Sequence, residues 1–181
     1  MTTYVVLVRG INVGGLNKVS MAGLKKCLEG LGFSNVSTFL NTGNVILDSD
    51  KPAKQVAEVI DNALPATFKL DSDLVRVLAL SRSQFKAMVD NKPKGFGEQP
   101  SKYHSDAIFL MGITVAKAMQ VFDPRDGVDK IWPGKGVIYS QRLSAERTRS
   151  RLSKIVGTPA YKAMTIRSWS TTMKLLNLSA R

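Results

Sequence analysis

The sequence predicts an α+β fold of two ferredoxin-like β-α-β-β-α-β halves, joined by a bridging helix and followed by an extra C-terminal helix. Three observations predict it. Apolar runs of strand length alternate with helical periodicities in residues 1–80, and the same order of elements returns in residues 103–181. Between them, residues 81–102 have the pattern of a short helix followed by a loop. We therefore predict three segments with these boundaries.

The first half begins with a buried strand over residues 5–8 and a helix that Ser20 caps and Gly32 ends. The apolar residues of this helix recur at helical spacing and are Met21, Leu24, Leu28 and Leu31. The remaining elements are strands over residues 36–40 and 45–47, a helix that begins at Pro52 and ends before Pro65, and a strand over residues 74–80.

The bridging helix starts with a capping box, in which Ser81 and Gln84 have the spacing that satisfies the first backbone donors of a helix. After it, residues 92–102 hold two prolines, two glycines and three lysines around Phe96. This composition predicts an exposed loop.

The second half has the same predicted order. Its strands cover residues 107–111, 130–132, 137–140 and 164–167. Its helices are one from Thr114 to Phe122, a basic one around Leu152, Ile155 and Val156 that Gly157 ends, and a last one that Ser168 caps.

The positive charge of the chain is concentrated near its end. The 181 residues carry a net charge of +12, and residues 142–181 hold nine Lys or Arg against Glu146 alone, which gives +8. Such a concentration favours polyanions, for example nucleic acid or phosphate-bearing ligands. A solvated basic face that serves solubility is the alternative.

Other sequence features exclude several classes of protein. No apolar run reaches membrane-spanning length, and the N-terminus lacks the basic region of a signal peptide, so we expect a soluble cytoplasmic protein with no membrane partner. A single cysteine, Cys27, excludes an internal disulfide, and one cysteine with one histidine predicts no metal site. Nothing in the sequence predicts a particular cofactor or oligomeric state.

The loop over residues 9–18 is the most informative segment, because it places two cations, two asparagines and three glycines between a strand and a helix. Glycines let the backbone approach a ligand, and the start of a helix attracts anions. The loop has the glycine spacing of a P-loop but lacks its Lys-Ser/Thr pair, and Asn12 replaces the middle glycine of the dinucleotide fingerprint. The alternative is a structural turn in which Asn12 and Asn17 satisfy local backbone groups.

The first and third strands are neighbours in a ferredoxin-like sheet, which would bring the 42–44 hairpin turn close to this loop. The predicted ligand-binding residues are Arg9, Asn12, Gly14, Gly15, Asn17, Lys18, Thr42, Gly43, Asn44, Arg167 and Lys174. The third strand has no aromatic residue, which argues against a standard RNA-recognition surface. His104 and Asp106 would share a strand face and form at most one acid-base pair, so no catalytic residue is assigned.

Four segments resemble a bacterial protein family, the domain of unknown function 1697 family. They are residues 9–18, 31–33, 42–45 and 165–176, and the resemblance spans nearly the whole chain. It implies an α+β fold with ferredoxin-like halves and no established activity, cofactor or partner. The chain departs from the family pattern at Thr42, where the family usually has Ser, and at Ser168, where it usually has Asn.

The function we predict is binding of a phosphate-bearing small molecule or a nucleic acid through the 9–18 loop and the basic C-terminal region. Two alternatives stay open. One is an enzyme or sensor that acts on a nucleotide-like small molecule, and the other is an oligomerisation or protein-partner module.

Overall fold

Two four-stranded antiparallel sheets define the architecture, which we describe from a computed structural model that covers residues 1–181. Each sheet belongs to one of two compact units. Residues Met1–Lys86 and Lys174–Arg181 form the first unit, and Ala87–Met173 form the second. Each unit has the ferredoxin-like arrangement, and a helix ends the chain, so the predicted fold class is confirmed.

The first unit has the sheet order β2-β3-β1-β4. Its elements are β1 (Thr2–Arg9), α1 (Met21–Gly30), β2 (Ser34–Phe39), β3 (Asn44–Ser49), α2 (Ala53–Thr67) and β4 (Arg76–Ser81). The boundaries between the units lie within α3 (Arg82–Asp90) and α5 (Trp169–Leu178).

Side chains on one face of this sheet form the core of the first unit together with α1 and α2. Val6, Val45 and Leu47 are fully buried, and Leu24 of α1 and Ile60 of α2 pack in the same cluster. The alternation of side chains along a strand gives β1 this face. The hydrophobic effect of these residues holds the helices on the sheet.

Two predicted helix starts in the first unit have the expected capping bonds. Ser20 Oγ accepts a hydrogen bond from the Gly23 N–H at 3.0 Å at the start of α1. At α3, Ser81 Oγ accepts from the Gln84 N–H at 3.2 Å and Gln84 Oε1 accepts from the Ser81 N–H at 2.9 Å, which confirms the capping box.

Pro65 lies inside α2 and not beyond its end, which corrects the predicted boundary. A proline in the last turn removes only the bond that its own N–H would donate. Phe68 N–H still donates to the Leu64 carbonyl at 2.9 Å, so the helix closes past the proline.

The second unit has the sheet order β6-β7-β5-β8. Its elements are β5 (Tyr103–Leu110), α4 (Val115–Met119), β6 (Asp129–Pro133), β7 (Val137–Leu143), three 3₁₀ helices (Ser144–Arg149, Leu152–Gly157 and Pro159–Ala163) and β8 (Met164–Ser168).

Two predicted helices of this unit differ from the structure. The helix that Thr114 caps ends at Met119, short of Phe122, and the predicted basic helix is a 3₁₀ helix over Leu152–Gly157. Leu152 and Ile155 are both buried at a spacing of three, which matches the three residues per turn of a 3₁₀ helix.

The segment over residues 92–102 is a mostly exposed loop, as predicted, but its central residue Phe96 is buried and anchors it. Phe96 is 1% exposed, and its ring makes edge-to-face contacts with Trp132, Tyr139 and Trp169 at centroid distances of 5.8, 5.4 and 5.0 Å. Such aromatic pairs add to the burial energy of the ring. The charged residues around Phe96 concealed this anchor in the sequence.

Candidate anion-binding site

The loop between β1 and α1 folds back on itself as a small hairpin. The Leu16 N–H donates to the Val13 carbonyl at 3.0 Å, and the Asn12 N–H donates to the Asn17 carbonyl at 3.1 Å. Gly14 and Gly15 at its tip have φ values of +58° and +80°. Two successive positive φ values are typical of a type I′ turn, which glycine adopts without strain. The glycines therefore shape the tip.

Asn12 ties this loop to the β2–β3 turn. Its Oδ1 accepts from the Val19 N–H at 2.9 Å, and its Nδ2 donates to the carbonyls of Val19 at 2.8 Å and Asn41 at 2.7 Å. The expected proximity of the two loops is confirmed. The side chain of Asn12 thus bonds mainly to the backbone.

Asn17 ties the same loop to the segment that precedes β4. Its Oδ1 accepts from the N–H groups of Asp71 at 2.7 Å and Ser72 at 3.1 Å, while its Nδ2 donates to the Gly10 carbonyl and Ser72 Oγ. Asn17 is 2% exposed. Because a side-chain amide has two donors and two acceptor positions, these four bonds use its full capacity.

Asn44 closes the hairpin turn at the start of β3. It is fully buried, and its Nδ2 donates to the Phe39 carbonyl and to Thr42 Oγ1, both at 2.9 Å. Gly43 between them has φ of +81°, and a Cβ there would collide with the Val8 carbonyl. The turn therefore packs directly against β1.

The predicted cations lie in different surroundings. Arg9 donates from Nη1 to the Leu74 carbonyl at 3.1 Å, and Lys174 is exposed on α5. Arg167 belongs to the second unit, where its Nη1 donates to Thr165 Oγ1 and the Ile166 carbonyl. Burial lowers the pKa of the Arg167 guanidinium to about 10.

A pocket of about 440 Å³ opens beside the start of α1, and we call it the α1 pocket. It is lined by Asn12, Gly15, Lys18, Val19, Ser20, Met21 and Asn41. Its lining contains one cation and no carboxylate, and the Lys18 side chain makes no hydrogen bond or ion pair within the protein. The backbone N–H groups of Gly15 and Ser20 also donate no hydrogen bond within the protein. The pocket thus presents unused donors next to the positive end of a helix dipole.

His104 and Asp106 lie on β5 of the second unit, where His104 Nε2 is 3.1 Å from the Asp106 carboxylate. The predicted shared strand face is confirmed. Burial is the largest influence on Asp106 and raises the pKa of its carboxyl, although His104 and Arg142 oppose this. Sequence reasoning did not identify Arg142 as their neighbour, because only the strand register brings it opposite His104.

No group of three or more His, Cys, Asp or Glu side chains could hold a metal ion. None of the helices combines the length and apolarity that crossing a membrane requires.

The strand orders and the capped helices define an α+β protein with two ferredoxin-like halves. The chain belongs to the DUF1697 family of proteins of unknown function, whose model matches residues 1–139. Its structure is similar to that of the conserved bacterial protein SP0830 from Streptococcus pneumoniae, with a TM-score of 0.79, 26% identity and 98% of each chain covered. No curated protein matches the chain.

Proposed function

We propose that this protein binds the phosphate group of a small molecule or a nucleic acid in the α1 pocket. The observation that carries the proposal is the lining of the pocket, which joins the unpaired Lys18 ammonium to unused backbone donors and contains no carboxylate. Backbone N–H groups at a helix start, together with a lysine, are a common way to hold phosphate oxygens.

The predicted site residues take two roles in this proposal. Gly15 and Lys18 contact the phosphate, with Gly14 shaping the turn beside them. The asparagines form a framework that supports the pocket, because the side-chain amides of Asn17 and Asn44 donate their hydrogen bonds to groups within the protein. Thr42 and Gly43 belong to the same framework, since they form the turn that the asparagines fix.

Arg167 is largely buried in the second unit and Lys174 is exposed in the first, and neither lines the α1 pocket, so the proposal keeps only exposed cations of the second unit as a basic surface. The exposed cations Arg147, Arg149 and Lys154 lie on the same C-terminal stretch. A nucleic acid would contact such a surface through several phosphates, whereas a small molecule would use the α1 pocket alone.

Calorimetric titration of the whole chain with pyrophosphate, ATP and a single-stranded RNA oligonucleotide tests the proposal. We expect pyrophosphate to bind. Lys18→Gln should weaken this binding about tenfold, which is the loss of affinity expected when one charge-assisted hydrogen bond is removed. Lys26→Gln is the matched control, because Lys26 is an exposed cation of α1 that does not line the pocket.

The same titration separates the two phosphate sources. The logarithm of the RNA affinity should fall with the logarithm of the salt concentration, at a slope near −0.7 for each phosphate that the protein neutralises. A slope that corresponds to more than about two phosphates identifies a nucleic-acid surface. Binding of ATP and pyrophosphate without RNA binding identifies a small-molecule site. If none of the three binds, or if Lys18→Gln and Lys26→Gln bind alike, the proposal is wrong.

A further inference from the structure

A second cavity lies in the second unit, on the face of its sheet that carries the 3₁₀ helices, and we call it the Asp106 cavity. Its volume is about 110 Å³. Its polar lining consists of Asp106, Ser140, Arg142, Ser153 and Tyr161, and the rest is apolar. A mainly apolar cavity with a few converging polar groups is typical of a small-molecule site.

Asp106 and Arg142 line this cavity with opposite charges and make no ion pair with each other. Asp106 has one side-chain hydrogen bond, to His104 at 3.1 Å, although its carboxyl is largely buried. The Arg142 side chain makes no hydrogen bond within the protein, and its Nε is buried without a partner. Both charged groups therefore retain unused hydrogen-bonding capacity toward the cavity.

Asp129 is the third charge near Arg142, directly opposite it on β6. Its Oδ2 accepts from the N–H groups of Arg125 at 2.9 Å and Arg151 at 2.8 Å. These bonds hold the Asp129 carboxylate against the backbone. The negative charge of Asp129 partly offsets the positive charge of Arg142, but the Asp129 carboxylate accepts no hydrogen bond from the Arg142 guanidinium.

The walls of the cavity limit both the polarity and the size of a ligand. Ile108, Ile155 and Ile166 are among the apolar residues that line it, and electrostatic attraction is stronger in such surroundings than in water. The volume corresponds to about three or four water molecules. Only a molecule of a few non-hydrogen atoms fits.

We propose that the Asp106 cavity binds a small zwitterionic amino acid, of the size of glycine or alanine. Its carboxylate binds the Arg142 guanidinium, its ammonium binds the Asp106 carboxylate, and the hydroxyl of Ser140 contributes a further hydrogen bond. A simple anion would leave the buried Asp106 carboxylate with His104 as its one partner, and a simple cation would leave the Arg142 side chain without a hydrogen bond, which is costly in an apolar cavity. A zwitterion pairs both. This site is independent of the α1 pocket and of its phosphate.

Amide NMR spectra of the whole chain, titrated with glycine, L-alanine, acetate, ethylammonium and L-leucine, test the proposal. We expect saturable shifts of β5 and β7 amides with glycine and alanine. Acetate and ethylammonium each present half of the ligand, so both should bind at least about tenfold more weakly. Leucine exceeds the cavity volume and should leave these amides unchanged.

Single substitutions assign the two charges. Asp106→Asn and Arg142→Gln should each weaken alanine binding about tenfold or more, while dispersed spectra show that the variants fold. Arg149→Gln is the matched control, because Arg149 pairs with Glu146 and does not line the cavity. The proposal is overturned if alanine gives no saturable shift, if acetate or leucine binds as tightly as alanine, or if Arg142→Gln binds like Arg149→Gln.

Discussion

Asn17 and Asp71 hold each other by reciprocal hydrogen bonds across 54 residues of sequence. The Asn17 N–H donates to Asp71 Oδ2 and the Asp71 N–H donates to Asn17 Oδ1, both at 2.7 Å. Each residue thus satisfies the backbone of the other. The loop that shapes the α1 pocket is fixed by the segment before β4 and does not depend on its own turn alone.

Replacing Asn17 with glycine should destabilise the first unit. Asn17 has φ of +49°, which glycine adopts freely, so this substitution removes the side-chain bonds without backbone strain. The N–H groups of Asp71 and Ser72 would lose their acceptor, and we expect a loss of about 1–3 kcal/mol in the free energy of unfolding. Urea denaturation followed by circular dichroism measures it.

Asn35→Gly is the matched control for this prediction. Asn35 has nearly the same φ of +50°, but its side chain is exposed and bonds to Asp48. Its replacement should cost less than about 1 kcal/mol, because water can replace an exposed partner. Equal losses in the two variants would mean that the Asn17 bonds contribute nothing specific.

Three glycine-to-alanine substitutions should separate backbone strain from steric contact. Gly43→Ala combines positive φ with a collision against the Val8 carbonyl and should cost about 2–5 kcal/mol. At Gly14 the φ is positive but an added Cβ would meet open space, so Gly14→Ala should cost only about 1–2 kcal/mol of stability. Gly30 lies in α1 and an added Cβ would meet open space there, so Gly30→Ala should stabilise the protein by about 0.5–1 kcal/mol. Thermal unfolding of the three variants ranks them, and any other order contradicts this explanation.

The sequence was sufficient where local patterns decide the structure. The apolar periodicities of Leu24 and Leu28, the turn at Gly43 and the capping box of Ser81 and Gln84 depend on residues close in sequence. The 3₁₀ helix over Leu152–Gly157 was predicted as an ordinary helix, because buried residues three apart fit both periods.

The site was less predictable, because its bonds connect distant segments. Asn12 and Asn17 were recognised as polar loop residues, but which groups they bond depends on Asn41 and Asp71, which only the fold brings near. Arg142 was one cation among the nine of the C-terminal stretch. Its place beside Asp106 follows from strand register, which a single sequence does not specify.

Phe96→Ala should be among the most destabilising substitutions in the second unit. It removes a fully buried ring that contacts both tryptophans, Trp132 and Trp169, and we expect a loss of about 3–5 kcal/mol. Tryptophan emission of the folded variant should shift toward that of solvent-exposed indole. Phe96→Leu keeps most of the apolar volume and should lose less than about 1.5 kcal/mol. If the alanine variant unfolds like the wild type, residues 92–102 are not anchored by this ring.

The stability of the second unit should depend on pH through Asp106. Because burial raises the pKa of this carboxyl in the folded state, the folded chain binds more protons than the unfolded chain between the two pKa values. The contribution of Asp106 to stability is therefore full below its unfolded pKa of about 3.9 and falls as the pH rises through the folded pKa. Asp106→Asn removes this dependence, so the variant should gain stability relative to the wild type from about pH 4 toward pH 7 in urea denaturation. Asp126→Asn, at an exposed aspartate of the same unit, provides the baseline. A difference between the Asp106 variant and the wild type that stays constant with pH would show that folding does not raise this pKa.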